Sequence, residues 1–149
     1  MLKYQGISKI LIVVSITYLL AIQGCGRKVD DYLNEAQNLQ TLGKLQQAEQ
    51  VYLQVLKKYP KIPVIHNNIG TLYRDMKAYD KALDHFNKAL ELYTTKREKS
   101  FVLNNIGSVF DMKNDFEKAK IKYLEALDLV PENIDALNNL ATILHYPES

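Results

Sequence analysis

The sequence predicts an all-α fold: a short solenoid of three helix-turn-helix repeats and a C-terminal half repeat, preceded by an N-terminal signal segment. The first observation is self-similarity, since Ala48, Ala82 and Ala119 recur at intervals of 34 and 37 residues, the spacing of helical repeat arrays. Within each unit, apolar residues recur at steps of three and four, as on the buried face of a helix. Pro60 and Pro131 mark unit ends, because proline cannot continue a helix.

The N-terminal segment, residues 1–24, has the pattern of a signal peptide. Lys3 and Lys9 are its only charged side chains, and Ile10 to Ile22 form an uncharged, mostly apolar run of thirteen residues. A membrane-spanning helix needs about 20 apolar residues, whereas a signal peptide has a run of about 7 to 15 after a positive start. We therefore expect an export signal, with an uncleaved N-terminal membrane anchor as the alternative.

The signal segment ends in Ile22, Gln23 and Gly24, followed by Cys25, and this arrangement resembles the cleavage motif of bacterial lipoproteins. The resemblance implies cleavage before Cys25 and acylation of that cysteine with fatty acids such as palmitate, with residues 25–28 as a short linker. Several acyl chains anchor a protein firmly, since each buried methylene contributes about 0.8 kcal/mol. Gln23 departs from the small or β-branched residue usual at its position. The absence of aspartate after the cysteine favours an outer-membrane lipoprotein facing the periplasm.

Charge and cysteine content argue against several kinds of partner. The formal net charge is +2, and removal of the two lysines of the signal segment leaves 17 basic residues against 17 acidic ones. A nucleic-acid-binding protein keeps a basic excess on one face, so we expect no nucleic acid as partner. Cys25 is the single cysteine, so the chain forms no internal disulfide and no cysteine-based metal cage.

The second unit shows how the helices of a repeat pair. Its first helix presents Ile65, Ile69 and Leu72 on one face, and the second begins after a turn at Lys77 to Asp80. Small residues allow two helix backbones to approach closely, and aromatic residues fill the space beside them. We expect the following residues to define this packing in the second and third units: Gly70, Ala82, Phe86, Gly107, Ala119 and Tyr123.

This pattern resembles the tetratricopeptide repeat family, which has small residues at the eighth and twentieth positions, aromatic residues at the eleventh and twenty-fourth, and proline at the thirty-second. The resemblance extends from about Val29 to Tyr146 and implies a stack of paired helices that binds polypeptides. The predicted units are residues 29–62, 63–96 and 100–133, with a half repeat or capping helix at 134–149.

The chain departs from the family pattern at the turns and between two units. The glycine usual at the turn between paired helices is kept at Gly43, whereas Asn114 and Lys77 take its place in the other units. Lysine tolerates a left-handed backbone less well than asparagine does. Residues 97–99 are inserted between the second and third units. They either lengthen a helix or form a loop, and their charges favour a solvated connection, with partner binding as the alternative.

The resemblance implies that the first helices of successive units line a concave groove, with the fifth and sixth positions of each first helix facing it. Both positions hold asparagine in three consecutive units. Amide groups both donate and accept hydrogen bonds, so a row of them suits the backbone of an extended peptide. The alternative is helix-to-helix hydrogen bonding, to which the sixth position is more committed than the fifth. We expect peptide contact by Asn67, Asn68, Asn104, Asn105, Asn138, Asn139, Arg74 and Phe101.

Two further expectations concern the surfaces of the stack. The chaperone-cofactor subclass of the family clamps a C-terminal carboxylate with basic residues, but Leu33, Phe101 and Asn105 stand at three of those positions, so we expect no carboxylate clamp. The half repeat has no second helix behind it, so Ile143 and a flank of Leu140 or Leu144 would lack cover. We expect a homotypic or partner contact at this C-terminal edge, with simple capping as the alternative.

Motifs of catalysis and cofactor binding are missing from the sequence. His66, His85 and His145 occupy different repeat positions, without a carboxylate or second histidine at metal-ligand spacing, and His66 takes a packing position. The chain has no glycine-rich phosphate loop and no nucleophile-elbow serine. We therefore predict a protein that is not an enzyme and takes no cofactor, metal or small-molecule substrate. Its predicted role is a lipid-anchored scaffold that recruits or assembles envelope proteins, with a chaperone-like holder of extended clients as the alternative.

Overall fold

The computed structural model describes residues 28–145. The predicted signal segment, the lipidation site Cys25 and the last four residues lie outside this range. Within it, no helix combines the length and the apolar character needed to span a bilayer.

The described residues form seven α-helices and no strand, which confirms the predicted fold class. The helices form three pairs and a final single helix, in the predicted order of repeats. Their bounds are α1 Val29–Thr41, α2 Leu45–Lys58, α3 Pro63–Asp75, α4 Tyr79–Leu92, α5 Lys96–Met112, α6 Phe116–Leu129 and α7 Ile134–His145.

The turns inside the three pairs share one backbone geometry. Gly43, Lys77 and Asn114 all have a left-handed backbone, with φ of 72°, 59° and 59°. In each turn the next residue donates its N–H to a carbonyl five residues back, as in the bond from Lys44 to Leu39 O at 2.9 Å. This is the glycine-type helix stop, so Asn114 and Lys77 adopt the conformation that the sequence assigns to Gly43.

Close helix packing inside the second and third pairs depends on two glycines, as predicted. A Cβ atom added to Gly70 would lie 2.6 Å from the Phe86 ring, and one added to Gly107 would lie 2.5 Å from the Tyr123 ring. Ala82 and Ala119 are fully buried, and so are both rings. The six residues thus lie where the paired helices approach each other most closely.

The insertion at residues 97–99 lengthens a helix, which is the first of the two forms that the sequence allows, and its position is solvated as expected. These residues form the first turn of α5, which has 17 residues where α1 and α3 have 13. Thr95 caps this turn, because its Oγ1 accepts a hydrogen bond from the Glu98 N–H at 3.2 Å. A cap of this kind fixes where the helix begins, and the added turn carries exposed charged side chains.

The C-terminal edge is covered differently from the expectation. Ile143 is only 8% exposed and packs with Ala119 and Tyr123, so the expectation that it lacks cover is wrong. Its side chain points back onto α6. Leu144 is exposed as expected, at 56%, and the other uncovered apolar side chains of α7 are Ile134 and Leu137, at 70% and 46%.

Candidate functional site

The candidate site is the face formed by the first helices of the repeats. Residues of α3 contact α5, and residues of α5 contact α7, so these first helices adjoin directly as in other repeat stacks. The shared face carries the asparagine pairs, one pair on each of α3, α5 and α7.

The asparagines form a ladder between successive first helices. Asn105 on α5 donates from Nδ2 to Oδ1 of Asn67 on α3 at 3.1 Å. One repeat later, Asn139 on α7 donates from Nδ2 to Oδ1 of Asn104 on α5 at 2.9 Å. Each rung joins a sixth-position donor to the fifth-position acceptor of the preceding unit.

This pairing shows that several of the residues predicted to contact a peptide are hydrogen-bonded to each other. The fifth-position residues Asn67 and Asn104 were expected to be less committed to helix-to-helix bonding, but both serve as its acceptors, so that expectation is wrong. Asn104 is only 7% exposed and presents little surface to a ligand. Asn67 and Asn105 keep partial exposure and unused amide hydrogens. Peptide contact by any of them stays a prediction.

The ladder is incomplete at both ends of the described stack. The fifth position of the first unit is Leu33, a buried side chain without a polar group, so the sixth-position Asn68 has no rung to join. At the other end Asn138 is exposed on α7. These two amides therefore differ from the four that form the rungs.

The two other predicted contact residues lie at separate places. Arg74 forms a long ion pair with its neighbour Asp75, at 3.4 Å between Nη2 and Oδ1. Phe101 is 44% exposed and lines a cavity of about 640 Å³ with Arg97 and Ile134. The added turn of α5 forms one wall of this cavity, which the sequence did not reveal.

The structure brings together two histidines that the sequence keeps 19 residues apart. Nδ1 of His66 lies 3.2 Å from Nδ1 of His85, and Nε2 of His66 lies 2.9 Å from the carbonyl oxygen of Pro60. A carbonyl only accepts hydrogen bonds, so His66 Nε2 carries the proton and His85 donates to His66 Nδ1. In the sequence, only the repeat register could have predicted this contact, because it places His66 and His85 on the facing sides of α3 and α4.

Burial lowers the pKa of His85 to about 4, helped by the charges of His66 and Lys88 and opposed by Asp84. The described residues contain no group of three or more metal-ligating side chains. The histidine pair forms a hydrogen-bonded contact between α3, α4 and Pro60, which precedes them.

Comparison with known proteins finds relatives that cover part of this chain. It is 41% identical over 68 residues to the photosystem I assembly protein Ycf3 of Rippkaea orientalis, a match that covers 46% of this chain and 39% of the relative. It is 32% identical over 114 residues to the BBSome complex member BBS4 of Bos taurus, covering 76% of this chain and 21% of the relative. The chain thus spans about two fifths of one relative and one fifth of the other.

Solved structures share the fold. The first tetratricopeptide domain of Spaghetti (RPAP3), bound to the HSP90 peptide SRMEEVD, matches 78% of this chain and 90% of that domain, with a TM-score of 0.67 and 25% identity. PilF of Pseudomonas aeruginosa matches 79% of this chain and 53% of that protein, with a TM-score of 0.70 and 23% identity.

Family models complete the comparison. Two models, each described as a tetratricopeptide repeat, match adjacent parts of the sequence, residues 32–61 and residues 62–132. Together they span the three predicted full repeats up to the end of α6 and the turn that follows it. The chain belongs to the tetratricopeptide repeat family.

Proposed function

We propose that this protein is a non-catalytic scaffold that binds polypeptides along the face of its first helices and is held at the bacterial cell envelope by a lipid on Cys25. The observation that carries the binding part is the row of side-chain amides on α3, α5 and α7. Such groups suit an extended backbone, which alternates donors and acceptors.

Similar proteins support a role in binding other proteins. One relative is a photosystem I assembly protein and another is a member of the BBSome complex. The RPAP3 domain of the same fold holds an HSP90 peptide. This chain differs at the positions where the carboxylate-clamp subclass has basic residues, since Leu33 is buried and Asn105 forms a ladder rung. We therefore propose partners recognised along an extended stretch of backbone and not by their C-terminal carboxylate.

A crosslinking experiment tests the binding face. A photoreactive phenylalanine analogue replaces Ser108, which faces the groove by repeat register, and in a matched variant it replaces Glu91, an exposed residue of α4. After irradiation in cells, we expect adducts at Ser108 and few at Glu91. A defined set of adducts supports a scaffold, whereas a broad smear of client sizes supports the chaperone-like alternative. Equal labelling at both positions contradicts binding by this face.

The lipid anchor requires a separate experiment, because Cys25 lies outside the described residues. Its support is the sequence motif, with an uncharged, mostly apolar run of thirteen residues that ends at Ile22, three positions before the cysteine. Cells that express the full chain or a Cys25→Ala variant are fed a labelled fatty acid and fractionated. We expect label and membrane association in the full chain only. Label that persists in Cys25→Ala contradicts lipidation, and membrane association without label supports the uncleaved anchor.

The homotypic contact at the C-terminal edge stays a prediction, and the structure changes the residue that tests it. Ile143→Lys would bury a charge against Ala119 and Tyr123 and unfold α7. Leu144 is exposed, so Leu144→Lys leaves the helix in place and alters only its outer surface. We expect a smaller assembly for Leu144→Lys in analytical ultracentrifugation, and an unchanged mass contradicts the contact.

A further inference from the structure

A polar recess lies between α1 and α3, at the place where the asparagine ladder has no rung. Its volume is about 430 Å³. Its lining comes mainly from the first helices α1 and α3, whose shared face the proposed function assigns to polypeptide binding. The recess is lined by Gln37, Gln40, Thr41, Tyr52, Asn68, Thr71 and Asp75.

Tyr52 contributes a buried hydroxyl group with no partner among the described residues. Its side chain is 1% exposed, and its hydroxyl oxygen makes no hydrogen bond there. A buried hydroxyl without a partner costs about 1 to 3 kcal/mol. The ring itself packs like Phe86 at the equivalent position of the second unit, so packing requires the ring and not the hydroxyl. Burial and the nearby Asp75 raise the pKa of Tyr52 to about 12, which keeps the hydroxyl protonated as a donor.

Asn68 contributes an amide that the ladder does not use. Its counterparts Asn105 and Asn139 each donate to an asparagine of the preceding unit. The preceding unit offers Leu33 at that position, so Asn68 has no such acceptor. Its amide hydrogens and carbonyl oxygen are available at the recess.

The charged group of the recess is already engaged. Asp75 accepts a hydrogen bond from Gln40 Nε2 at one carboxylate oxygen and a longer one from Arg74 at the other. Uncharged polar groups remain for a ligand, among them the Tyr52 hydroxyl and the side-chain amides of Asn68 and Gln37. An amide both donates and accepts hydrogen bonds and therefore matches these groups, whereas an anionic ligand would lie beside the Asp75 carboxylate without a free counter-charge.

We infer that this recess binds the uncharged side-chain amide of an asparagine or glutamine in the polypeptide that occupies the groove. The inference rests on the proposed function and names one contact within it. Tyr52 donates to the amide oxygen of the ligand, and Asn68 pairs with its remaining polar atoms. Gln37 is an exposed side chain of the recess wall and lines it together with Tyr52.

The test uses three capped pentapeptides that differ only at the central residue: acetyl-Ala-Ala-Asn-Ala-Ala-amide and its Leu and Asp versions. The full chain is labelled with ¹⁵N, and the side-chain amide signals of asparagine are followed during titration. We expect the Asn peptide to shift the Asn68 signal and to bind at least threefold tighter than the Leu and Asp peptides. Failure of the Asn68 signal to move at saturation, or equal binding by the Asp peptide, overturns the inference.

Matched variants separate the recess from the groove as a whole. Tyr52→Phe removes only the hydroxyl and leaves a residue that the second unit already accepts at this position. Tyr123→Phe removes the other unpartnered buried hydroxyl, which lies in the third unit. We expect Tyr52→Phe to weaken the Asn peptide three- to tenfold and Tyr123→Phe to leave it unchanged. Equal effects of the two variants overturn the inference.

The peptide titration and the crosslinking at Ser108 give independent results. Adducts at Ser108 with no shift of the Asn68 signal would support the proposed scaffold function and contradict amide binding in this recess. A shift of the Asn68 signal without adducts at Ser108 would support amide binding in the recess and contradict polypeptide binding along the rest of the groove.

Discussion

Nδ2 of Asn139 donates a hydrogen bond to Oδ1 of Asn104 across 2.9 Å, and this bond joins the single helix α7 to α5. The acceptor is buried, and no further helix follows α7 among the described residues, so the bond and the packing of Ile143 hold α7 on the stack. A buried amide that loses its partner costs more than the bond itself contributes.

Asn139→Ala is therefore expected to loosen α7 selectively. Removal of the donor leaves Asn104 Oδ1 buried without a partner, which should lower the free energy of opening of α7 by about 1 to 2 kcal/mol. Native-state hydrogen exchange of the α7 amides measures this. The neighbouring Asn138 is exposed, so Asn138→Ala should change exchange little, and equal effects of the two variants would contradict the ladder.

Gly70→Ala tests the close approach of α3 and α4. At a solvent-exposed helix position, Gly→Ala stabilises the protein by about 1 kcal/mol, because alanine is the better helix former. Here the new Cβ would lie 2.6 Å from the Phe86 ring, and overpacking typically costs about 1 to 3 kcal/mol. We expect a net loss of stability of about 1 kcal/mol in urea unfolding.

The double variant Gly70→Ala with Phe86→Leu supplies the control. The smaller side chain leaves room for the new methyl group, so the loss caused by Gly70→Ala should shrink or reverse in the Phe86→Leu background. If Gly70→Ala lowers the stability by the same amount in both backgrounds, the strain does not come from contact with the Phe86 ring.

Lys77→Gly tests the turn of the second unit. Lys77 has φ of 59°, a conformation that costs a residue with a Cβ atom about 1 to 2 kcal/mol. Glycine removes this strain but gains freedom in the unfolded chain, so we expect a net stabilisation of about 0.5 to 1 kcal/mol in urea unfolding. Asn114→Gly should gain less, since asparagine tolerates this backbone better. A larger gain at Asn114 would contradict the assignment of strain.

Repeat register predicted the fold because its signals are local. Gly70 and Phe86 recur with their equivalents at a fixed step, and each repeat contacts mainly its neighbours, so one unit predicts the next. The same reasoning failed at the last unit, where Ile143 turns back onto α6. Cover at a chain terminus depends on how the last helix tilts, and a periodic pattern carries no information about tilt.

The candidate site was predictable in its location but not in its hydrogen bonds. Register placed Asn67 and Asn105 on one face. These residues are 38 positions apart in the sequence, and their pairing depends on how far α5 is shifted along its axis relative to α3. The recess at Tyr52 could not be predicted either. The sequence indicates an aromatic packing residue at this position but does not show that its hydroxyl group lacks a hydrogen-bond partner. Hydrogen bonding between units is a property of three-dimensional spacing, which single positions do not encode.

The buried pair of His66 and His85 predicts a loss of stability in acid. The folded pKa of His85 is about 4, whereas an unfolded histidine has a pKa near 6.5. Between these values the unfolded chain binds a proton that the folded chain does not, so the free energy of unfolding falls as the pH drops, by about 2 to 3 kcal/mol in total. Urea unfolding at pH 7 and pH 4.5 should show this fall, and His85→Gln should reduce it, while the exposed His145→Gln should not. A pH dependence that survives His85→Gln unchanged would assign it to other groups.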